Sequence, residues 1–132
     1  MKTTSSSILL IDNNFSFTEV VVNFIARNTS FQYEIMVAHS ASEAKAIISE
    51  FQPAIVLTDF NLPDMSGINF LPELRKLLPQ CQIIVSTLID TKEYRQAAAN
   101  FGVQAFIPKS ELYDCLPMTL ERLNPTPSTV RL

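Results

Sequence analysis

Four residues of this 132-residue chain could carry chemistry together: Asp12, Asp59, Thr87 and Lys109. Each stands at or just past the end of a short apolar run: Ile8–Ile11, Ile55–Leu57, Gln82–Ser86 and Val103–Pro108. Two carboxylates brought close together repel unless a cation lies between them or one keeps a proton. The donors on offer are oxygens, with neither His nor Cys beside them. That set favours a hard, largely hydrated ion such as Mg²⁺ over zinc. A lysine and a hydroxyl facing the same carboxylate suit an arriving anion with several oxygens. A phosphoryl group on Asp59 fits. The carboxylate is the nucleophile, the metal and Lys109 neutralise developing charge, and Thr87 donates a hydrogen bond. The plainer alternative is a Lys–Asp salt bridge flanked by loop-capping acids. Each residue alone favours that alternative; four on one rim favour the chemistry.

The four meet only if the strands that end in them lie side by side. Ile8–Ile11 reads as a buried strand, and Phe17, Val20, Val21, Phe24 and Ile25 follow at helical spacing. Tyr33–Ala38 reads as a second strand, polar enough for an edge. Ser40 and Glu43 form a capping box for a helix burying Ala44, Ile47, Ile48 and Phe51. Ile55–Leu57 reads as a strand buried on both faces. Turn chemistry follows at Asn61, Pro63, Asp64, Ser66 and Gly67. The next helix directs Phe70, Leu71, Leu74, Leu77 and Leu78 inward. Pro72 should kink it or delay its start, and Pro79 stops it.

Gln82–Ser86 is a fourth strand. Asp90–Glu93 resembles a second capping box, before a helix carrying Tyr94, Ala97, Ala98 and Phe101. Gly102 is placed to end that helix in the left-handed conformation. Val103–Pro108 is an edge strand, because Pro108 cannot donate to a ladder. Ser110 should cap a last helix with Leu112, Cys115, Leu116, Thr119, Leu120 and Leu123 on one stripe. Strand and helix alternate five times. This predicts a single doubly wound α/β domain: a five-stranded parallel sheet of order 2-1-3-4-5, with helices on both faces. Asp12 and Asp59 then face each other across the switch point.

Composition sets the wider bounds. The chain is 47% hydrophobic and 17% charged with net charge −3, which describes one globular domain rather than a disordered or basic nucleic-acid-gripping segment. Residues 1–7 read as an N-terminal tail, 8–123 as the domain and 124–132 as a C-terminal tail or linker. The run Ile8–Ile11 is too short for a signal sequence or a membrane span, so a cytoplasmic location is expected. Cys81 and Cys115 have no metal spacing and are expected as reduced thiols.

The motifs Leu-Leu-Ile-Asp-Asn at 9–13, Thr-Asp-Phe-Asn-Leu-Pro-Asp-Met-Ser-Gly at 58–67, Thr87 and Phe-Ile-Pro-Lys at 106–109 resemble the receiver domain of two-component response regulators. The resemblance spans residue 8 to about residue 123. It implies that Asp59 accepts phosphate from a histidine kinase or phosphotransfer protein. It implies Mg²⁺ held by Asp12, Asp59 and the backbone carbonyl of Asn61. Thr87 and Lys109 would contact the phosphoryl group, and Thr87 and Phe106 would switch. The output would be a rearranged face made of helix four, strand five and helix five, a surface also open to homodimerisation. No external substrate is implied; the domain assists its own phosphorylation and dephosphorylation.

Three departures bear on these expectations. Asn13 stands where a second acid is usual, so any coordination there lacks charge and Mg²⁺ should bind weakly. Leu88 follows Thr87 where a small residue is usual, and could shield the site. Ser110 follows Lys109 where proline is common, which argues against a cis peptide at that bond.

Two rival functions stay open on the sequence. One is a degenerate receiver acting as a phosphorylation-independent interaction module, motivated by Asn13 and Leu88. The other is a small phosphatase with an aspartate nucleophile, disfavoured because Asn61 stands where a second acid is wanted. No P-loop or GxGxxG is present. The Pro/Ser/Thr-rich end reads equally as the close of a stand-alone regulator or as a linker to an effector domain, DNA-binding for instance.

Overall fold

The computed structural model describes residues 3–29 and 31–123. Within them β1 (Thr3–Ile11), α1 (Phe15–Asn28), β2 (Phe31–Ala38), α2 (Ala41–Glu50), β3 (Ile55–Thr58) and α3 (Gly67–Leu77) form the first half. β4 (Gln82–Thr87), α4 (Lys92–Asn100), β5 (Ala105–Pro108), a 3₁₀ turn (Lys109–Glu111) and α5 (Leu112–Leu123) complete it. All pairings are parallel and the order is β2-β1-β3-β4-β5. The expected architecture is therefore the observed one.

Side-chain alternation along the strands sorts the core into two layers. Ile8, Leu10, Ile55, Leu57, Ile84 and Ile107 pack with Val21 and Ile25 of α1 and Leu112, Leu116 and Leu120 of α5. Leu9, Ile11, Val56, Ile83 and Val85 face the other way, onto α2, α3 and α4. Cys81 belongs to this second layer and Cys115 borders the first, so the sheet separates the two free thiols. Burial pushes the Cys81 thiol up to about 11, which keeps it protonated and unreactive.

Several local expectations need correction. Residues 3–7 are not a tail: β1 starts at Thr3, and Thr3, Thr4 and Ser7 pair with Phe31, Gln32 and Glu34 across a register irregularity. Thr3 and Thr4 lie beyond the β1–β3 ladder, which begins at Ile8, and Ser7 at its edge accepts from the Ala54 N–H, so this stretch does not demand an apolar run. The C-terminal stretch 124–132 lies outside the described residues. Val20 and Leu77, placed on inward stripes, are exposed. Pro72 does not delay α3, which runs unbroken from its Ser66 cap. Thr91 rather than Asp90 caps α4, because the Asp90 carboxylate is bound by Arg95. Ser110 lies in the 3₁₀ turn and caps nothing with its side chain. The Ser40 cap of α2 is as expected, and Gly102 has φ +65° after α4.

Two long-range contacts fix the loops. The Asp64 carboxylate, from the β3–α3 loop, accepts from the Ala41 and Ser42 N–H groups at 2.9 Å each. Those two bonds hold its pKa below the ordinary carboxylate value. It thus adds a second anion to the α2 N-terminus. Arg75, in the last turn of α3, donates to the Phe101, Gly102 and Cys81 carbonyls at 3.1, 3.0 and 2.6 Å. It ties α3, the end of α4 and the start of β4 into one unit.

Candidate functional site

The carboxyl ends of β1, β3 and β5 converge on one ammonium. Lys109 Nζ lies 2.7 Å from Asp12 Oδ2 and 3.2 Å from Asp59 Oδ2. Asp12 is 2% exposed and Asp59 7%. The topology causes this meeting. Ile11 pairs with Thr58, so the next residue on each strand is one of the two acids. Both carboxylates also receive backbone donors. Asp12 Oδ1 accepts from the Asn14 N–H at 2.9 Å. Asp59 Oδ1 accepts from Phe60 N–H at 2.6 Å and Asn61 N–H at 3.2 Å.

The charge balance of this cluster is one net negative unit. Burial alone would lower the Lys109 pKa, but hydrogen bonds and charge from Asp12 and Asp59 outweigh it and raise the value. The ammonium also sits 4.3 Å above the Phe17 ring. Phe17 reads in the sequence as a core residue of α1; its place over Lys109 has no sequence signal. Asn14 is a second residue the sequence reading missed. Its backbone N–H orients Asp12, while its side chain caps α1 through Phe17 N–H at 2.9 Å.

Thr87 and Phe106 stand apart from this triad. Thr87 is fully buried, and its hydroxyl accepts from the Ile89 N–H at 3.3 Å rather than meeting Asp59. Phe106 is half-buried; its ring lies 6.1 Å from that of Phe60, the residue after Asp59. Tyr94 of α4 packs on Phe60 at 4.8 Å. The Arg95 guanidinium covers Phe106 at 4.7 Å while ion-paired with Asp90. An aromatic chain thus runs from the neighbour of Asp59 to the α4–β5 surface. Leu88 is 81% exposed and does not shield the acids, contrary to expectation: it sits past the strand end, where the chain turns outward. No cis peptide bond occurs among the described residues.

The donor set fits a hard cation in kind. Asp12 and Asp59 offer carboxylate oxygens, the donor type such an ion takes, and the Asn61 backbone adjoins them through its N–H on Asp59 Oδ1. It is thin in charge, since Asn13 is exposed and neutral. No cluster of three His, Cys, Asp or Glu residues occurs among the described residues.

Residues 8–119 match the response regulator receiver domain family. The chain belongs to that family. It is 28% identical over 116 residues to the transcriptional regulatory protein DpiA of Escherichia coli K12, covering 88% of this chain and 51% of that protein. The chain thus spans about half the length of that curated relative. Among solved structures, a CheY-like receiver domain protein from Methanospirillum hungatei superposes with TM-score 0.80 at 27% identity, covering 91% of this chain and 94% of that one. A response regulator from Burkholderia pseudomallei, solved with a phosphorylated aspartic acid and a calcium ion, shares the fold at TM-score 0.76 and 22% identity, covering 94% and 69%. Receiver domains serve two-component systems, interact with histidine kinases and effector domains, and typically bind Mg²⁺ at the phosphorylation site. In this receiver domain no helix among the described residues is long and apolar enough to cross a membrane.

Proposed function

We propose that this receiver domain takes a phosphoryl group from a histidine kinase, or a phosphotransfer protein, onto Asp59. The observation that carries the reading is the state of the Asp59 carboxylate. Two backbone N–H groups fix Oδ1, which leaves Oδ2, bonded to Lys109, as the attacking oxygen. Oδ2 bonds to phosphorus as the bond to the donor imidazole breaks, and that imidazole leaves with the electron pair. Lys109 stays beside the phosphoryl oxygens and offsets their added charge. Thr87 releases the Ile89 N–H to donate to a phosphoryl oxygen. Phe106 then repacks against Phe60 and Tyr94, and the face made of α4, β5 and α5 changes. Bound at Asp12, Asp59 and the Asn61 carbonyl, Mg²⁺ would supply charge neutralisation. Asp12 must give up Lys109 to bind it. The partner of the switched face is an effector domain or a second copy of this domain.

Acetyl phosphate with millimolar Mg²⁺ should add one phosphoryl mass to the protein, and Asp59→Asn should add none. An unmodified spectrum, with no labelling by a histidine kinase either, would refute the reading. The interaction-module alternative instead expects identical partner binding by wild type and Asp59→Asn.

The metal seat makes a separate prediction. Asn13→Asp changes the net charge around the seat from one negative unit to two. Even screened at an exposed position, the added charge should tighten Mg²⁺ binding about tenfold. A Mg²⁺ titration followed by NMR shifts around Phe106 measures it. Equal affinities in the two proteins would show that Asn13 does not limit the site.

A further inference from the structure

Ser86 is buried, 3% exposed, and its hydroxyl has no hydrogen-bond partner among the described residues. An unpaired buried hydroxyl costs stability, and an apolar residue would fill the same strand position without that cost. The register shows where the hydroxyl lies. Thr58 pairs with Val85, so Ser86 is level with Asp59 on the neighbouring strand. Ile84 belongs to the layer under α1 and α5, and strand alternation puts Ser86 on that same face. Asp59 and Asp12 follow Leu57 and Leu10 onto it by the same rule. On its other side Ser86 pairs with Ile107, two residues before Lys109. Lys109 leaves the end of β5 to reach carboxylates on β3 and β1, with β4 in between. Its side chain therefore crosses β4 on the face that holds Ser86.

From this placement we infer that Ser86 is a positioning residue of the phosphoacceptor site: its hydroxyl receives the Lys109 ammonium once a phosphoryl group stands on Asp59. The inference rests on the phosphoacceptor reading above. At present Lys109 stretches past Asp59 to Asp12, the farther strand, and makes its shorter bond there. New negative charge on Asp59 draws the ammonium off Asp12 and back toward β5. That path shortens the reach and lies over β4, where Ser86 Oγ is an acceptor with its lone pairs free. The hydroxyl is thus unpaired in one state and satisfied in the other. This biases the equilibrium toward the phosphorylated arrangement, because a group's differential contacts set its effect on a two-state balance.

Ser86→Ala and Ser86→Thr, compared with wild type, test this. Urea unfolding in EDTA reports the resting fold, and beryllofluoride with Mg²⁺ stands in for the phosphoryl group. Ser86→Ala should unfold at the same or a higher urea concentration, yet bind beryllofluoride about fivefold more weakly. Ser86→Thr, which keeps the hydroxyl on a β-branched side chain suited to a strand, should bind within twofold of wild type. A parallel loss of stability and affinity in Ser86→Ala would overturn the inference in favour of packing. Wild-type affinity in Ser86→Ala would overturn it outright while leaving the phosphoacceptor reading standing. A wild type that takes up no beryllofluoride would sink the phosphoacceptor reading, and this inference with it.

Discussion

Lys109→Ala should destabilise the metal-free protein by roughly 3 kcal/mol and abolish most phosphorylation of Asp59. Lys109 is the shared cation of two nearly buried carboxylates. Removing it leaves both acids facing each other with their backbone donors but no countercharge. Breaking a buried pair costs far more than a surface pair, because the abandoned charge keeps its desolvation penalty. Millimolar Mg²⁺ should restore much of the stability but little of the reactivity. A cation between Asp12 and Asp59 replaces the lost charge without replacing the donor at the phosphoryl oxygens. The pH dependence follows from the raised pKa of Lys109. A raised folded-state value means the lysine stabilises fully below its unfolded value of 10.5 and loses that effect only as pH rises through the folded value. The deficit of the variant should therefore be the same at pH 7 and pH 9. Chemical denaturation in EDTA and in Mg²⁺ at both pH values measures all of this. A loss under 1 kcal/mol in EDTA would mean that the acids are solvated well enough to do without the ammonium.

The strands and their order were legible because parallel strands buried on both faces must be continuous apolar runs, and Ile8–Ile11 and Ile55–Leu57 are such runs. The acids Asp12 and Asp59 were legible for a related reason: the first charged residue after such a run has to lie on the rim. Contacts between elements that follow from neither strand order nor strand ends were not legible. Asp64 reads as a turn residue, yet it caps a helix more than twenty positions earlier. Phe17 reads as core, yet it lies under the site lysine. Helical periodicity also overreached at Val20 and Leu77. An apolar stripe says which face turns inward, but the sheet ends before the edges of that stripe do. The polar start of β1 escaped because it is held through pairing with β2 and through Ser7, which accepts from the Ala54 N–H, rather than by an apolar run. Ser86 looked like the unremarkable end of a strand. Only the register beside Asp59, and the absence of a partner for its hydroxyl, mark it.

The other large effect belongs to Gly67→Ala, which should cost about 3 kcal/mol and lower the melting temperature by roughly 10 °C. Gly67 begins α3, with no unusual backbone angle to demand glycine. The demand comes from Phe60. A Cβ on residue 67 would fall 2.5 Å from Phe60 Cα and collide with its ring. Neither can retreat easily. The Phe60 ring is buried between Tyr94 and Phe106, and its carbonyl accepts from the Gly67 N–H. The same residue's N–H holds Asp59 Oδ1 at 2.6 Å. Strain at position 67 therefore moves a donor on the nucleophile, and phosphorylation should slow beyond what the unfolded fraction explains. Gly102→Ala is the control, and these two are the chain's only glycines. Gly102 has φ +65° but open space where a Cβ would go. Its substitution costs about 1 kcal/mol of backbone strain, far from the acids. Urea denaturation and the acetyl-phosphate rate, normalised to folded protein, separate the two. If Gly67→Ala matched Gly102→Ala in both measurements, the contact between residue 67 and Phe60 would have no hold on the site.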